Sequence, residues 1–288
     1  MTTAPDNSPA VVPAAEEPVT RAQRIAFILA VAIGCRAIHL RDRLFRTIPR
    51  LPTSIPGLAL TPLTISSGRS QLDAVYAAPD KQPTRAAVLI CHGIGEVIAQ
   101  WVPIQQRLAA RGVASLVFDY SGYGRSTGRP SPAQLEQDAV SAFYAMRQFT
   151  EGPVSLLGFS LGSGIVPVIL PRVPAYRVVL CASFTSFRAA AQRVGIPAFL
   201  SAMVPPIWDS TQALRAANQP ILIVHSASDR LFPVAMAREL AACSAPRAQL
   251  RVVEGLRHNE PFYTPTADYW DPIAEFLAGE QSDPDPAN

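Results

Sequence analysis

Lysine is almost missing from this chain: of its 25 Lys and Arg residues, Lys81 is the only lysine. The positive charge is therefore guanidinium charge, and part of it crowds near the N-terminus at Arg21, Arg24, Arg36, Arg41, Arg43, Arg46 and Arg50. Charged residues make up only 16% of the sequence and the formal net charge is +3, which excludes the basic excess of a nucleic-acid-binding domain and the charged, apolar-poor balance of a disordered chain. Histidine and cysteine are scarce too, four of each. Cys35, Cys91, Cys181 and Cys243 lie far apart, and neither a CxxC nor an HExxH spacing occurs, so no zinc site and no other metal is expected. The cysteines read as free, reduced and structural, two of them inside apolar runs.

A long hydrophobic run is also lacking. The stretch from Ile25 to Cys35 is apolar all round, but Arg36 and His39 interrupt it before the ~20 residues that a bilayer span needs. A cleavable signal fits poorly, because a cut after Ala30-Val31-Ala32 leaves an apolar region of about five residues where at least about seven are usual. Two readings of residues 24–50 stand: a helix docked on the domain, or an anchor at a membrane surface whose arginines snorkel towards headgroups. If the segment spans, its heavier C-terminal arginine load puts the rest of the chain in the cytoplasm, which is the expected location.

What is present is a chain of 288 residues, 49% hydrophobic, long enough for one full core. Residues 1–23, rich in Pro, Ala, Thr and Ser without periodicity, read as a disordered tail. The body spans 51–280, and 281–288 are expected to be a flexible end. Within the body, β-rich pieces at Leu63–Ile65 and Leu72–Ala77 precede strand-length apolar runs at Ala86–Cys91, Ala114–Phe118, Val154–Leu157, Val178–Ala182, Ile221–Val224 and Leu250–Val253. Amphipathic stretches alternate with these runs. Strands apolar on both faces are what a parallel sheet covered by helices requires, so the fold class is α/β, with a doubly wound, mostly parallel sheet. Ser131-Pro132-Ala133-Gln134 predicts a helix start with a capping box, followed by a buried stripe of Leu135, Ala139, Ala142, Phe143 and Met146. The Pro-rich segment 184–218 breaks the alternation and reads as a small cap.

The chemistry centres on Gly158-Phe159-Ser160-Leu161-Gly162, between the run Val154–Leu157 and a helix-compatible stretch from Gly164 to Leu170. A serine on a strained strand-to-helix turn needs small residues two before and two after it, and Gly158 and Gly162 satisfy this. A serine hydroxyl needs a base, and the base an orienting acid. Asp229 follows the run Ile221–Val224, and His258 follows Leu250–Val253, both beyond strand C-termini where open α/β sheets bind ligands. Ser160, Asp229 and His258 are thus the candidate catalytic residues. The pair His92-Gly93 suits an oxyanion loop, with the backbone N–H of Ile94 joining that of Leu161; one such donor is typically worth about 3 kcal/mol of transition-state stabilisation. His39 reads as interfacial or solvated, and His225 as a structural neighbour of Asp229 at a strand terminus. Glu96, Trp101 and Arg257 border the catalytic loops. They read as a solvated loop charge, a core aromatic and an exposed arginine.

From about residue 58 to 279 the chain resembles the α/β-hydrolase superfamily, in His92-Gly93, the block Asp119-Tyr-Ser-Gly-Tyr-Gly-Arg-Ser126, the Ser160 elbow, and the Asp229 and His258 loops. The Asp119 block, Phe184-Thr185-Ser186, Trp208 and His258-Asn259 are similar to membrane-anchored hydrolase-domain proteins that include protein depalmitoylases. The serine-aminopeptidase and monoacylglycerol-lipase-like group is a second near relative. The anchored branch tends to have His-Gly-Asn where this chain reads His92-Gly93-Ile94-Gly95-Glu96. Ser67-Gly68-Arg69 also replaces an expected Asp-Gly turn between the first strands. The resemblance implies hydrolysis of a small-molecule ester or thioester through an acyl-enzyme on Ser160, with no cofactor. Alternatives are a peptidase or acyltransferase using the same residues, or a ligand-binding protein on a hydrolase scaffold. Phe199, Leu200, Met203, Ile207 and Trp208 hint at an apolar acyl group or simply pack the cap.

Overall fold

The computed structural model describes residues 50–52, 54–193, 204 and 206–279. The tail and the arginine-rich segment up to residue 49, the C-terminal end from 280, and cap residues Phe199, Leu200 and Met203 lie outside the described residues. Among those described, no helix is long and apolar enough to cross a membrane.

The strands are β1 (Leu58–Ser67), β2 (Ser70–Pro79), β3 (Ala86–Cys91), β4 (Val113–Phe118), β5 (Val154–Phe159), β6 (Val178–Cys181), β7 (Ile221–Ser226) and β8 (Ala248–Val253). The helices are α1 (Ile98–Ala109), α2 (Pro132–Met146), α3 (Leu161–Ile169), α4 (Phe187–Arg193), α5 (Ser210–Ala216), α6 (Val234–Cys243), α7 (Glu260–Tyr263) and α8 (Ala267–Ala278). One sheet runs β1-β2-β4-β3-β5-β6-β7-β8. β1 and β2 pair antiparallel, β2 is antiparallel to β4, and every pairing from β4 to β8 is parallel. The β1–β2 hairpin closes on Gly68-Arg69, between the paired Ser67 and Ser70, and Gly68 takes φ +57°. A two-residue hairpin turn asks for that left-handed conformation, so Gly68 serves without an aspartate before it.

Each strand from β3 to β7 is buried on both faces because its alternate residues feed two cores. Leu89 and Cys91 of β3 join Leu135, Phe143 and Met146 of α2, Ile165 and Val166 of α3 and Leu240 of α6. Val88 and Ile90 join Trp101, Ile104 and Leu108 of α1 with Trp270, Ile273 and Leu277 of α8 on the other side. β8 departs from the expected apolar run. Among the described residues it is an edge strand with no partner beyond it, and its Gln249 and Arg251 are exposed while the rest is half-buried. The α2 start also differs in part: Ser131 Oγ accepts from the Gln134 N–H at 3.2 Å, but the Gln134 side chain turns to Asp138 Oδ1 at 2.8 Å instead of back to the cap. Buried Asp138 collects this amide together with Ser67 Oγ, Ser121 Oγ and the Ser121 N–H, a demand that overrides the capping box.

The strand order fixes where the site forms. From β3 the chain steps outward to β4 and then returns past β3 to β5, so the connections leaving the C-terminal ends of β3 and β5 diverge to opposite faces. A crevice opens between such strand ends. Here it is bordered by the loop 92–97 and by the turn at Ser160.

Candidate active site

Ser160 sits between β5 and α3 at φ 50° and ψ −111°, a conformation that costs a non-glycine residue of order 1–3 kcal/mol and persists only where its surroundings enforce it. They do so by contact. A Cβ on Gly158 would collide with the backbone of Gly162 and Ser163, and one on Gly162 would collide with the Cys91 carbonyl at the end of β3. A side chain at Gly164 would strike the Phe184 ring. The Ser160 N–H donates to the Cys181 carbonyl at 3.0 Å, and its carbonyl accepts from Ser163 Oγ at 2.6 Å. Leu161 is the first residue of α3, where a backbone N–H has no carbonyl within the helix to bond.

Ser160, His258 and Asp229 meet, although they are far apart in sequence. Ser160 Oγ lies 2.9 Å from His258 Nε2, and His258 Nδ1 lies 2.6 Å from Asp229 Oδ2. Asp229 Oδ1 accepts from the N–H groups of Leu231 and Phe232 at 2.8 and 2.9 Å. Burial works to raise the Asp229 pKa. The His258 hydrogen bond and charge, with the Phe232 N–H, outweigh it and hold the carboxyl below its ordinary range. An ionised Asp229 fixes the proton on His258 Nδ1 and leaves Nε2 as an acceptor facing the serine hydroxyl. Phe232 also packs edge-on against the His258 ring, centroids 5.0 Å apart and planes at 87°.

His225 lies within β7, one residue short of its end, and is fully buried. Its Nε2 donates to the Phe232 carbonyl at 2.8 Å, its Nδ1 accepts from the Ser183 N–H at 3.3 Å, and Nε2 stands 3.6 Å from Asp229 Oδ2. Burial lowers its pKa against the raising effects of that carbonyl and of Asp229. It braces the acid loop as a neutral ring.

Glu96 corrects the reading of a solvated loop charge. It is 6% exposed, and its Oε2 accepts from the Gly93 N–H at 2.7 Å and from Trp101 Nε1 at 3.0 Å. Burial pushes its pKa up to about 8 against those two bonds. No periodic signal marks a lone glutamate in a glycine-bearing loop; the clue was Trp101 five residues on, whose indole N–H needs an acceptor once it is fully buried. Arg257 is exposed, its N–H bonded to Glu260. Ile94 is 42% exposed. Asp119 has a role in the framework: its Oδ1 accepts from the Ile98 N–H at the start of α1, and its carbonyl accepts from Ser126 Oγ, whose oxygen in turn receives the Asp73 N–H. Burial drives the Asp119 pKa to about 7. Burial also raises Cys91 and Cys181 to about 12, so neither thiol competes as a nucleophile. Among the described residues no group of three or more His, Cys, Asp and Glu side chains is arranged to hold a metal.

Comparison with known proteins agrees with this architecture. A family model described as serine aminopeptidase, S33, matches residues 82–212, from before β3 to α5 and including the Ser160 turn. The esterase Pf2001 of Pyrococcus furiosus superposes with a TM-score of 0.63 at 17% identity, covering 80% of this chain and 97% of its own. The chain has the α/β-hydrolase fold. An uncharacterized Mycobacterium tuberculosis protein is 28% identical to this chain over 196 residues, 66% of this chain and 69% of that one. Lysophosphatidylserine lipase ABHD12 of Macaca fascicularis is 28% identical over 171 residues, 52% of this chain. The matched region is only 42% of that lipase's own length.

Proposed function

We propose that this hydrolase is a serine esterase or thioesterase acting through an acyl-enzyme. Ser160 Oγ attacks the acyl carbonyl as His258 Nε2 takes its proton, and Asp229 stabilises the resulting imidazolium. The backbone N–H groups of Leu161 and Ile94 receive the oxyanion. His258 then returns the proton to the leaving oxygen or sulfur and activates a water that releases the acid. The observation that carries this reading is the continuous chain from Ser160 Oγ through His258 to Asp229, at 2.9 and 2.6 Å, on a serine held at positive φ.

An apolar acyl group is the substrate we favour. Phe184, Ala190 and Phe232 form a buried apolar cluster with Leu231 and Met236, and it adjoins both the helix after Ser160 and the His258 ring. Of the apolar cap residues, Trp208 and Ile207 instead pack into the main core. The lipase named among the relatives points the same way. Residues 24–50 supply the proposed contact with a membrane surface, and the domain is proposed to face the cytoplasm. The match to a serine-aminopeptidase family model favours peptide-bond cleavage as the second reading.

The test is labelling with a fluorophosphonate, wild type beside Ser160→Ala, followed by p-nitrophenyl esters of increasing chain length and an aminoacyl p-nitroanilide. We expect labelling of the wild type alone, a loss of roughly 10⁴- to 10⁶-fold in turnover for the variant, and preference for longer esters over the anilide. A folded wild type that resists labelling would overturn the assignment and raise the ligand-binding reading.

A further inference from the structure

The loop before α1 is clamped at both ends of its first peptide units by buried side chains. Glu96 Oε2 accepts from the Gly93 N–H at 2.7 Å, and Trp101 Nε1 donates to the same oxygen at 3.0 Å. On the other side, His92 Nδ1 donates to the Gly93 carbonyl at 2.8 Å, and the Glu96 N–H approaches that carbonyl at 3.5 Å. The fit is close enough that a Cβ on Gly93 would lie 2.5 Å from Glu96 Oε1. His92 is fully buried, and Glu96 nearly so.

The Glu96 carboxyl holds the His92–Gly93 peptide through the Gly93 N–H, and His92 Nδ1 holds the next peptide, Gly93–Ile94, through its carbonyl. In a planar trans peptide the C=O and N–H point in opposite directions, so fixing the Gly93 carbonyl fixes the direction of the Ile94 N–H. That N–H is the proposed oxyanion donor. Ile94 itself is 42% exposed and its side chain cannot do the fixing.

We propose that Glu96 is a positioning residue that, with His92, aims the Ile94 N–H at the tetrahedral intermediate. The role rests on the acyl-enzyme reading above and adds a residue to it. Glu96 touches no reacting atom. It acts by accepting a hydrogen bond from the Gly93 N–H, a role that needs an oxygen but no charge. Its raised pKa agrees, since burial favours the neutral acid, which places no negative charge beside a developing oxyanion. Glutamine keeps an acceptor oxygen and the shape of the neutral acid; alanine keeps neither.

The experiment measures steady-state kinetics on a p-nitrophenyl ester, together with inhibition by n-butylboronic acid, whose adduct on Ser160 mimics the tetrahedral state. Wild type, Glu96→Gln and Glu96→Ala are compared, with Glu96→Met as a second apolar variant that preserves volume. Misplacing a catalytic donor by about 1 Å costs on the order of 10²-fold. We therefore expect Glu96→Ala or Glu96→Met to lower kcat on the order of 10²-fold with KM nearly unchanged, and to weaken boronate binding in step. Glu96→Gln should recover most of both. Wild-type kcat in either apolar variant, or a Glu96→Gln as impaired as they are, overturns the assignment. So does a loss that falls on KM alone. An unlabelled, inert wild type would fail the acyl-enzyme reading itself and is distinguishable from these outcomes, which all require an active parent.

Discussion

Glu96 and Asp229 are carboxyl groups on the loops beside Ser160, each 6% exposed, and their pKa values are displaced in opposite directions. Burial raises both. For Glu96 the opposing groups are two neutral N–H donors, from Gly93 and Trp101, and burial wins. For Asp229 the partner is an imidazole that can itself carry charge, backed by N–H donors from the chain just beyond it, and the carboxyl stays ionised. Burial alone therefore does not set a carboxyl's state; what matters is whether a neighbour can become positive. The difference matches the proposed chemistry, with negative charge kept where an imidazolium forms and removed where an oxyanion forms.

The comparison breaks most visibly at Asp229. Asp229→Asn should leave the fold intact and lower kcat about 10⁴-fold, because a neutral amide no longer holds the proton on Nδ1. Burst kinetics and a thermal melt on the same sample check this. A residual rate within about tenfold of wild type would mean that charge at Asp229 is dispensable and that the contrast with Glu96 has no catalytic meaning.

A smaller effect is expected one layer further out. His225 braces the Asp229 loop through the Phe232 carbonyl and the Ser183 N–H. Replacing it with alanine leaves both buried groups unpaired, at a cost of about 1–3 kcal/mol in stability. The loop should loosen, with kcat down on the order of tenfold and a changed pH–rate profile as His258 loses its fixed partner. Denaturant unfolding and kcat against pH measure the two consequences. Restoration by His225→Gln, which retains a donor and an acceptor, would tie them to those hydrogen bonds.

How far the sequence discloses this contrast depends on the kind of signal. β3 to β7 are legible because a strand buried on both faces is apolar throughout, as in Ala86–Cys91. The elbow is legible because Gly158 and Gly162 have no room for a Cβ against Gly162 and Cys91. Ser160, Asp229 and His258 stand in an order and at strand ends that the fold makes meaningful. Glu96 is not legible, since its burial is created in three dimensions, by a tryptophan and a glycine that fold around it. β8 differs for the opposite reason: Leu250 and Val253 suggest a core strand, but no described strand pairs beyond it and Arg251 is left in solvent. Gln134 followed Asp138 for a reason no local motif contains. The periodic features of a chain are readable in one dimension, and the satisfaction of buried polar groups largely is not.

The subtlest expected effect is on stability against pH, and it separates the two carboxyls without any substrate. A carboxyl raised on folding binds more protons in the native state than in the unfolded state between its two pKa values. For Glu96, from its ordinary 4.5 to about 8, stability should fall as pH rises. Asp229 has the reverse sign: its native pKa is depressed, so it contributes stability above its ordinary 3.8 and loses it as pH falls through the native value. Asp119, raised to about 7, adds a slope of the same sign as Glu96, and His92, lowered to about 4, opposes it below its ordinary 6.5. Only the difference between proteins isolates one group. The wild type minus Glu96→Gln stability curve should decline between about pH 5 and 8, whereas wild type minus Asp229→Asn should be flat there and rise with pH only in the acid range. Denaturant midpoints at unit pH steps resolve the two. Parallel curves for both variants across pH 5 to 8 would show that Glu96 and Asp229 share one charge state, and would remove the electrostatic distinction between the two loops.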